Sequence, residues 1–387
     1  MKWLASCSLF INKKYFWKAS KTPARFLFTT ATFAILSVVF IERNKINQQV
    51  VDFQTKIIAS EKVQNAFEII HKARINLGVK IDPNLDPQEL GLVGVVSSIL
   101  TSKPGNLSAK QTTINPNWAS VFIEMFREAH LKAGDLVAAG MSGSFPALNI
   151  SFLIAAETYG LKSIVVSSVT SSSFGANIPG LSWLEMEGLL FRSDLIHIRS
   201  KAVSIGAKGD LGLNLPGEGI TKVNQIIAKE GIPQLIGNKK SELIQERLDI
   251  FQNPKNGGPV KAYINIGGGV ASVGSAKIKK TFQTGVTIHD SSEHSTNNTN
   301  TEKDLELGVM TYFKSENIPV INIVNIKKLA NKYQLPIAPK QKPEVGKGIL
   351  YYSNYYFGPV LFGFLMALII LLIWQAKQVK KILKLQS

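Results

Sequence analysis

Two apolar segments, one near each end, constrain this 387-residue chain more than any other feature. The first, Phe26 to Ile41, reads FLFTTATFAILSVVFI, about sixteen residues without a charge. Alone it is short for a span, and a cleaved signal peptide has a similar core. The long basic lead before it, and the lack of a small-x-small cleavage pattern after Val38-Val39-Phe40, predict a retained anchor. The second segment, Phe357 to Trp374, reads FGPVLFGFLMALIILLIW and is apolar all round, as a span is. Tyr351, Tyr352, Tyr355 and Tyr356 are expected to form an interfacial belt before it, with Trp374 at its other end.

Charge gives the orientation. Of the net +17, ten positive charges sit in the two tails, at Lys2, Lys13, Lys14, Lys18, Lys21, Arg25, Lys377, Lys380, Lys381 and Lys384. Neither tail holds an acidic residue, and only +7 remains between them. The basicity therefore reports topology. No basic helix with interleaved aromatics supports nucleic-acid binding. Short basic tails stay in the cytoplasm, so residues from about 44 to 350 are expected outside the cytoplasmic membrane of a bacterium. Cys7 is the lone cysteine, which excludes an intramolecular disulfide without deciding the redox compartment. With 45% hydrophobic and 18% charged residues the chain is not disordered.

The expected organisation follows: a basic tail 1–25, a span 26–43, a stalk 44–80, an α/β domain 81–337, a linker 338–356, a span 357–374 and a basic tail 375–387. Residues 46–77 read as an amphipathic helix on Val50, Phe53, Ile57, Ile58, Val63, Phe67, Ile70 and Ile75, with Gly78 as its C-cap. It is expected to continue from the first span as a stalk packing on the domain, or to find a coiled-coil partner. Beyond it, helices at 117–132, 145–160, 181–191, 219–230, 239–252 and 303–316 alternate with strands. Those strands are expected at Leu136–Ala139, Ser163–Ser167, 195–205, Leu235-Ile236, Val260–Ile266 and Val320–Val324. Repeated βα units with short apolar strands predict a doubly wound, mostly parallel sheet in three layers. Residues 290–301, DSSEHSTNNTNT, read as a polar surface loop.

In open α/β sheets, ligands bind beyond the carboxyl ends of the strands. Three expected strand ends are rich in glycine and serine: Gly140-Met141-Ser142-Gly143-Ser144, Thr170-Ser171-Ser172-Ser173-Phe174-Gly175-Ala176-Asn177, and Gly267-Gly268-Gly269. Gly140, Ser142, Gly143, Ser144, Ser171, Ser172, Ser173, Asn177, Gly267, Gly268 and Gly269 are the candidate ligand-binding residues, since glycine loops let a ligand approach the backbone. Gly140-x-Ser142-x-Ser144 approximates a nucleophile elbow, whose serine needs a base. His289, beside Asp290, and His197 are the candidate bases, and Asp210 is the best acidic site candidate. Plainer readings stand beside these: Ser142 and Ser144 capping the helix near Phe145, Asp210 in a solvated turn, and the triple glycine as a tight turn. Glu185 and Glu187, two residues apart, do not share a helix face. The triple glycine fits no nucleotide motif, and the histidines show no ligand spacing, so neither cofactor nor metal is expected.

Two anchors enclosing Ala139-Gly140-Met141-Ser142-Gly143-Ser144-Phe145-Pro146-Ala147-Leu148-Asn149, the run Ser171 to Asn177, and Tyr263-Ile264-Asn265-Ile266-Gly267-Gly268-Gly269 resemble the bacterial poly-γ-glutamate system protein family. The resemblance covers nearly the whole chain. It implies association with the poly-γ-glutamate synthase membrane complex, and it supplies no catalytic residues. Each γ-linked glutamate keeps a free carboxylate, so the polymer is an anion that a domain of net +7 could hold. Three functions are expected to compete: an accessory factor that binds or guides the polymer, a serine hydrolase or transferase acting on it through Ser142, and a scaffold for the synthase.

Overall fold

The computed structural model describes residues 22–253, 255, 257–267, 269–274, 282–288 and 307–385. His289, Asp290, Gly268 and the loop 290–301 lie outside the described residues. The chain divides into two compact units. One holds residues 1–48 and 353–387, and the other runs from Gln49 to Tyr352.

The smaller unit is built on α1 (Ala24–Arg43) and a helix at Gly358–Leu385, each long and apolar enough to cross a membrane. They run antiparallel. Phe26 meets Trp374 edge-on at 6.2 Å, and Phe40 meets Phe364 at 5.5 Å. Among apolar surfaces like these, packing and polar contacts hold helices together. Gln375 supplies the polar contact: its Nε2 donates to the Phe26 carbonyl and Thr29 Oγ1, while Thr30 Oγ1 donates to its Oε1 at 3.0 Å.

The larger unit opens with α2 (Phe53–Asn76), which is not a continuation of α1. A strand at Ile46–Gln49 intervenes, and Asp52 takes a left-handed conformation (φ 61°) before the helix starts. Nor is α2 a stalk. Ala59, Val63, Ala66, Phe67 and Ile70 are fully buried against α4 (Trp118–Glu128) and α5 (Pro146–Tyr159), with α3 at Leu107–Thr113 before them. Each large apolar side chain buried there contributes about 1.5–3 kcal/mol. Gly78 (φ 70°) ends the helix as expected.

The central sheet has six strands: β1 (Leu136–Ser142), β2 (Lys162–Ser168), β3 (Ala202–Ser204), β4 (Val260–Ile266), β5 (Gly285–Thr287) and β6 (Val320–Ile323). Their order is β5-β6-β4-β1-β2-β3, parallel except for β5. Alternate residues along β1 enter different cores. Val137, Ala139 and Met141 join a cluster with α2, α4 and α5; Leu136 and Ala138 join another, with α8 (Lys240–Phe251) and α9 (Val309–Ser315). Two further helices, α6 (Trp183–Arg192) and α7 (Gly217–Glu230), pack on each other beside the β3 edge.

Three expectations need correction. The stretch 195–205 yields only the three-residue β3, because Arg199 and Ser200 are drawn away to the buried Glu187 carboxylate. Leu235-Ile236 forms no strand; Gln234 makes an isolated bridge to Val203. Tyr351 is no interfacial residue. It is fully buried, its hydroxyl within 2.9 Å of Ser60 and Ser120 and 2.5 Å of Asn117.

Candidate functional site

Sheet order places the site. The chain moves outward from β1 to β2 and β3, then returns to β1's other side with β4, so β1 and β4 flank the switch point where α/β sheets bind ligands. A cleft of about 190 Å³ opens there, at the carboxyl ends of four strands. Ser142 and Ser144 line it beyond β1, Ser168 and Thr170 beyond β2, Gly206, Lys208 and Asp210 beyond β3, and Gly269 beyond β4. Ser102, Lys103 and Asn214 complete its rim.

Register builds the wall. Ser142 pairs with Ser168 across β1–β2, and Ser168 pairs with Ser204 across β2–β3. Partners in adjacent parallel strands lie on one face, about 4.8 Å apart. The last residues of three neighbouring strands therefore form a row of hydroxyls, on the face that carries α8.

The row is anchored at one end and open at the other. Ser204 Oγ donates to Asp210 Oδ1 at 2.8 Å and accepts from Arg247 Nη2 of α8, which also pairs with Asp210 Oδ2. Asp210 is only 5% exposed, so it is a buried ion-pair member and not part of a solvated turn. By contrast Ser142 Oγ and Ser144 Oγ only accept, from the Ser144 and Ser172 N–H groups. Among the described residues Ser168 Oγ has no hydrogen-bond partner. Three hydroxyl hydrogens thus remain uncommitted to protein, beside Lys103 and Lys208. That arrangement suits an acceptor-rich anion.

Other candidates separate from the cleft. Neither Ser142 nor Ser144 caps α5: the cap position is Phe145, which makes no side-chain cap bond. Ser142 also lacks the strained backbone of a nucleophile elbow, since it ends a regular strand without a positive φ. His197 is 71% exposed and does not line the cleft; its ring nitrogens face Glu157 and Asp194 at 3.2 and 3.1 Å. Those contacts, chiefly the hydrogen bond to Glu157, raise its pKa. No described histidine stands beside Ser142.

Ser171, Ser172 and Asn177 serve the fold. Ser171-Ser172 pairs with Thr101–Lys103, and the Asn177 amide holds Val95 through both backbone groups. Ser173 N–H donates to the Lys103 carbonyl at 2.9 Å. Gly143 is pressed against the Val169 and Thr170 carbonyls, where a β-carbon would sit within 3.0 Å of both. Gly140 is a glycine for Tyr263's sake: a β-carbon there would lie 2.2 Å from the Tyr263 hydroxyl, which bonds Ser272 at 2.7 Å. Gly267 (φ 99°) likewise makes room for Ser142 Oγ.

Sequence reading misses Lys110, Ser168, Ser204 and Arg247. Lys110 is 4% exposed; its ammonium donates to the Ser144 carbonyl and to Ser172 Oγ, 3.9 Å above the Phe145 ring. It ties the loop after β1 to the loop after β2 from behind the cleft. Burial, and then the neighbouring Lys103 charge, push its pKa down to about 7. A hydroxyl closing each of three strands was the one signal in the sequence for the serine row.

Among the described residues no cluster of histidine, cysteine and carboxylates fits a metal. Compared with known proteins, the chain matches no family model, no curated protein and no solved structure.

Proposed function

We propose that the chain is a membrane-anchored accessory protein of poly-γ-glutamate synthesis or export, whose α/β domain binds the anionic polymer outside the cytoplasm. One observation carries the binding role: the uncommitted hydroxyls of Ser142, Ser144 and Ser168 share the strand-end cleft with Lys103 and Lys208. Their hydrogens and charges complement carboxylates. The polymer is named by the resemblance of the glycine- and serine-rich motifs. The two antiparallel apolar helices and the basic tails support a cytoplasmic-membrane protein with both termini inside, the bilayer and the synthase complex being its partners. Apolar clusters fed by alternate strand residues support a doubly wound sheet in three layers.

The test is calorimetric titration of the full chain, in detergent, with poly-γ-glutamate at graded salt. The reading expects binding that weakens steeply as ionic strength rises. Salt-independent or absent binding contradicts it, and co-purification with the synthase would then assign the scaffold role. Polymer shortening that stops with Ser142→Ala would assign the enzyme role instead.

A further inference from the structure

We infer that the cleft reads an α-amino-acid head group, an ammonium and a carboxylate on one carbon, and so takes a single terminal unit and not the run of a chain. The inference rests on the anion reading above and deepens it. Ser142, Ser144 and Ser168 are each more than nine-tenths buried, and their hydroxyl hydrogens remain for a carboxylate. Arg247 balances the Asp210 charge, so what Asp210 leaves for a ligand is acceptor capacity; carboxylates have no donor to give it, whereas an ammonium does. Asp210 lines this cleft, the one acidic side chain among the described residues that do so. Each of its oxygens accepts one protein hydrogen bond, from Ser204 and from Arg247. A carboxylate offers about four acceptor positions, so two remain for a cationic donor.

Thr170 adds an acceptor to the same wall. It is 3% exposed, and its Oγ1 has no hydrogen-bond partner. A buried hydroxyl left unpaired costs stability, and this one lies within the wall against Gly206, where it leaves the cleft side short of a donor. Size agrees. A cleft of about 190 Å³ is smaller than the 300–1,000 Å³ typical for drug-sized ligands, and suits one residue-sized unit. In a γ-linked glutamate chain only the amino-terminal unit carries both a free ammonium and its carboxylate, because every interior nitrogen is an amide. Free glutamate carries both as well.

The experiment is calorimetric titration of the full chain in detergent with glutamate of either hand, N-acetylglutamate, glutarate, and short and long poly-γ-glutamate at equal chain concentration. Short and long polymers are expected to bind equally per chain. Acetylating the amine, or removing it as in glutarate, is expected to weaken binding about tenfold or more. Asp210→Asn is expected to erase that preference. Should this variant fail to fold, the ligand series on the natural protein decides alone, through the comparison of glutamate with N-acetylglutamate and glutarate. Affinity that grows with chain length, or an amine-blocked ligand that binds as tightly as glutamate, overturns the inference and leaves the anion reading standing. No binding of any carboxylate overturns both.

Discussion

Two serine-rich strand ends look alike in this sequence and behave differently in the fold. Ser171-Ser172-Ser173, after β2, gives its hydrogen-bonding capacity to the protein: Ser171 Oγ donates to the Ser172 carbonyl, and Ser172 Oγ receives the Lys110 ammonium. Ser142, Ser144 and Ser168 keep their hydroxyl hydrogens. The first group clamps loops together, and the second faces the cleft. A motif shows how many hydroxyls are present, whereas register and burial decide which remain available to a ligand.

Substitutions can break or sharpen that contrast. The largest effect is expected behind the serine row. Arg247→Leu strands the Asp210 carboxylate in a buried site, and should cost roughly 3–5 kcal/mol in denaturant unfolding. Next comes Lys110. An unfolded lysine titrates near 10.5 but this one near 7, so between those values the unfolded chain binds more protons and stability must rise with pH. The expected slope approaches about 1.4 kcal/mol per pH unit. Lys110→Met should flatten it, and an unchanged slope would place the buried proton elsewhere. On the clamping side, Asn177→Ala leaves the Val95 backbone groups unpaired and should cost about 1–3 kcal/mol. On the cleft side, Ser168→Ala should change stability by no more than about 0.5 kcal/mol while weakening anion binding. A large stability loss there would mean that Ser168 belongs with the clamps.

Much of the fold was legible because local pattern and tertiary role agree. The apolar run Val260–Ile266 becomes β4 with those bounds, and the expected strand Ser163–Ser167 gains one residue at each end as β2, Lys162–Ser168. Where a distant partner decides, sequence was silent or misleading. Tyr351 has the spacing of a membrane belt, yet Ser60, Ser120 and Asn117 draw it into the core. Asp210 sits in a glycine-flanked stretch that looks solvated, and α8 brings Arg247 to it from 37 residues away. The strands were expected to stop at Ala139 and Ser167 but run on to Ser142 and Ser168, and the alignment of those serines with Ser204 depends on sheet order, which spacing does not encode. Glycine patterns misled in a different way: Gly140 and Gly267 leave room for Tyr263 and Ser142, so close packing within the protein accounts for both.

The central claim is that hydroxyls unclaimed by the protein at adjacent strand ends hold an anion. It is tested most directly by titrating glutamate into the intact protein and into its Ser142→Ala/Ser168→Ala double variant at one salt concentration. The account expects an equally stable variant whose affinity falls at least about tenfold. Unchanged affinity in a folded double variant would contradict it.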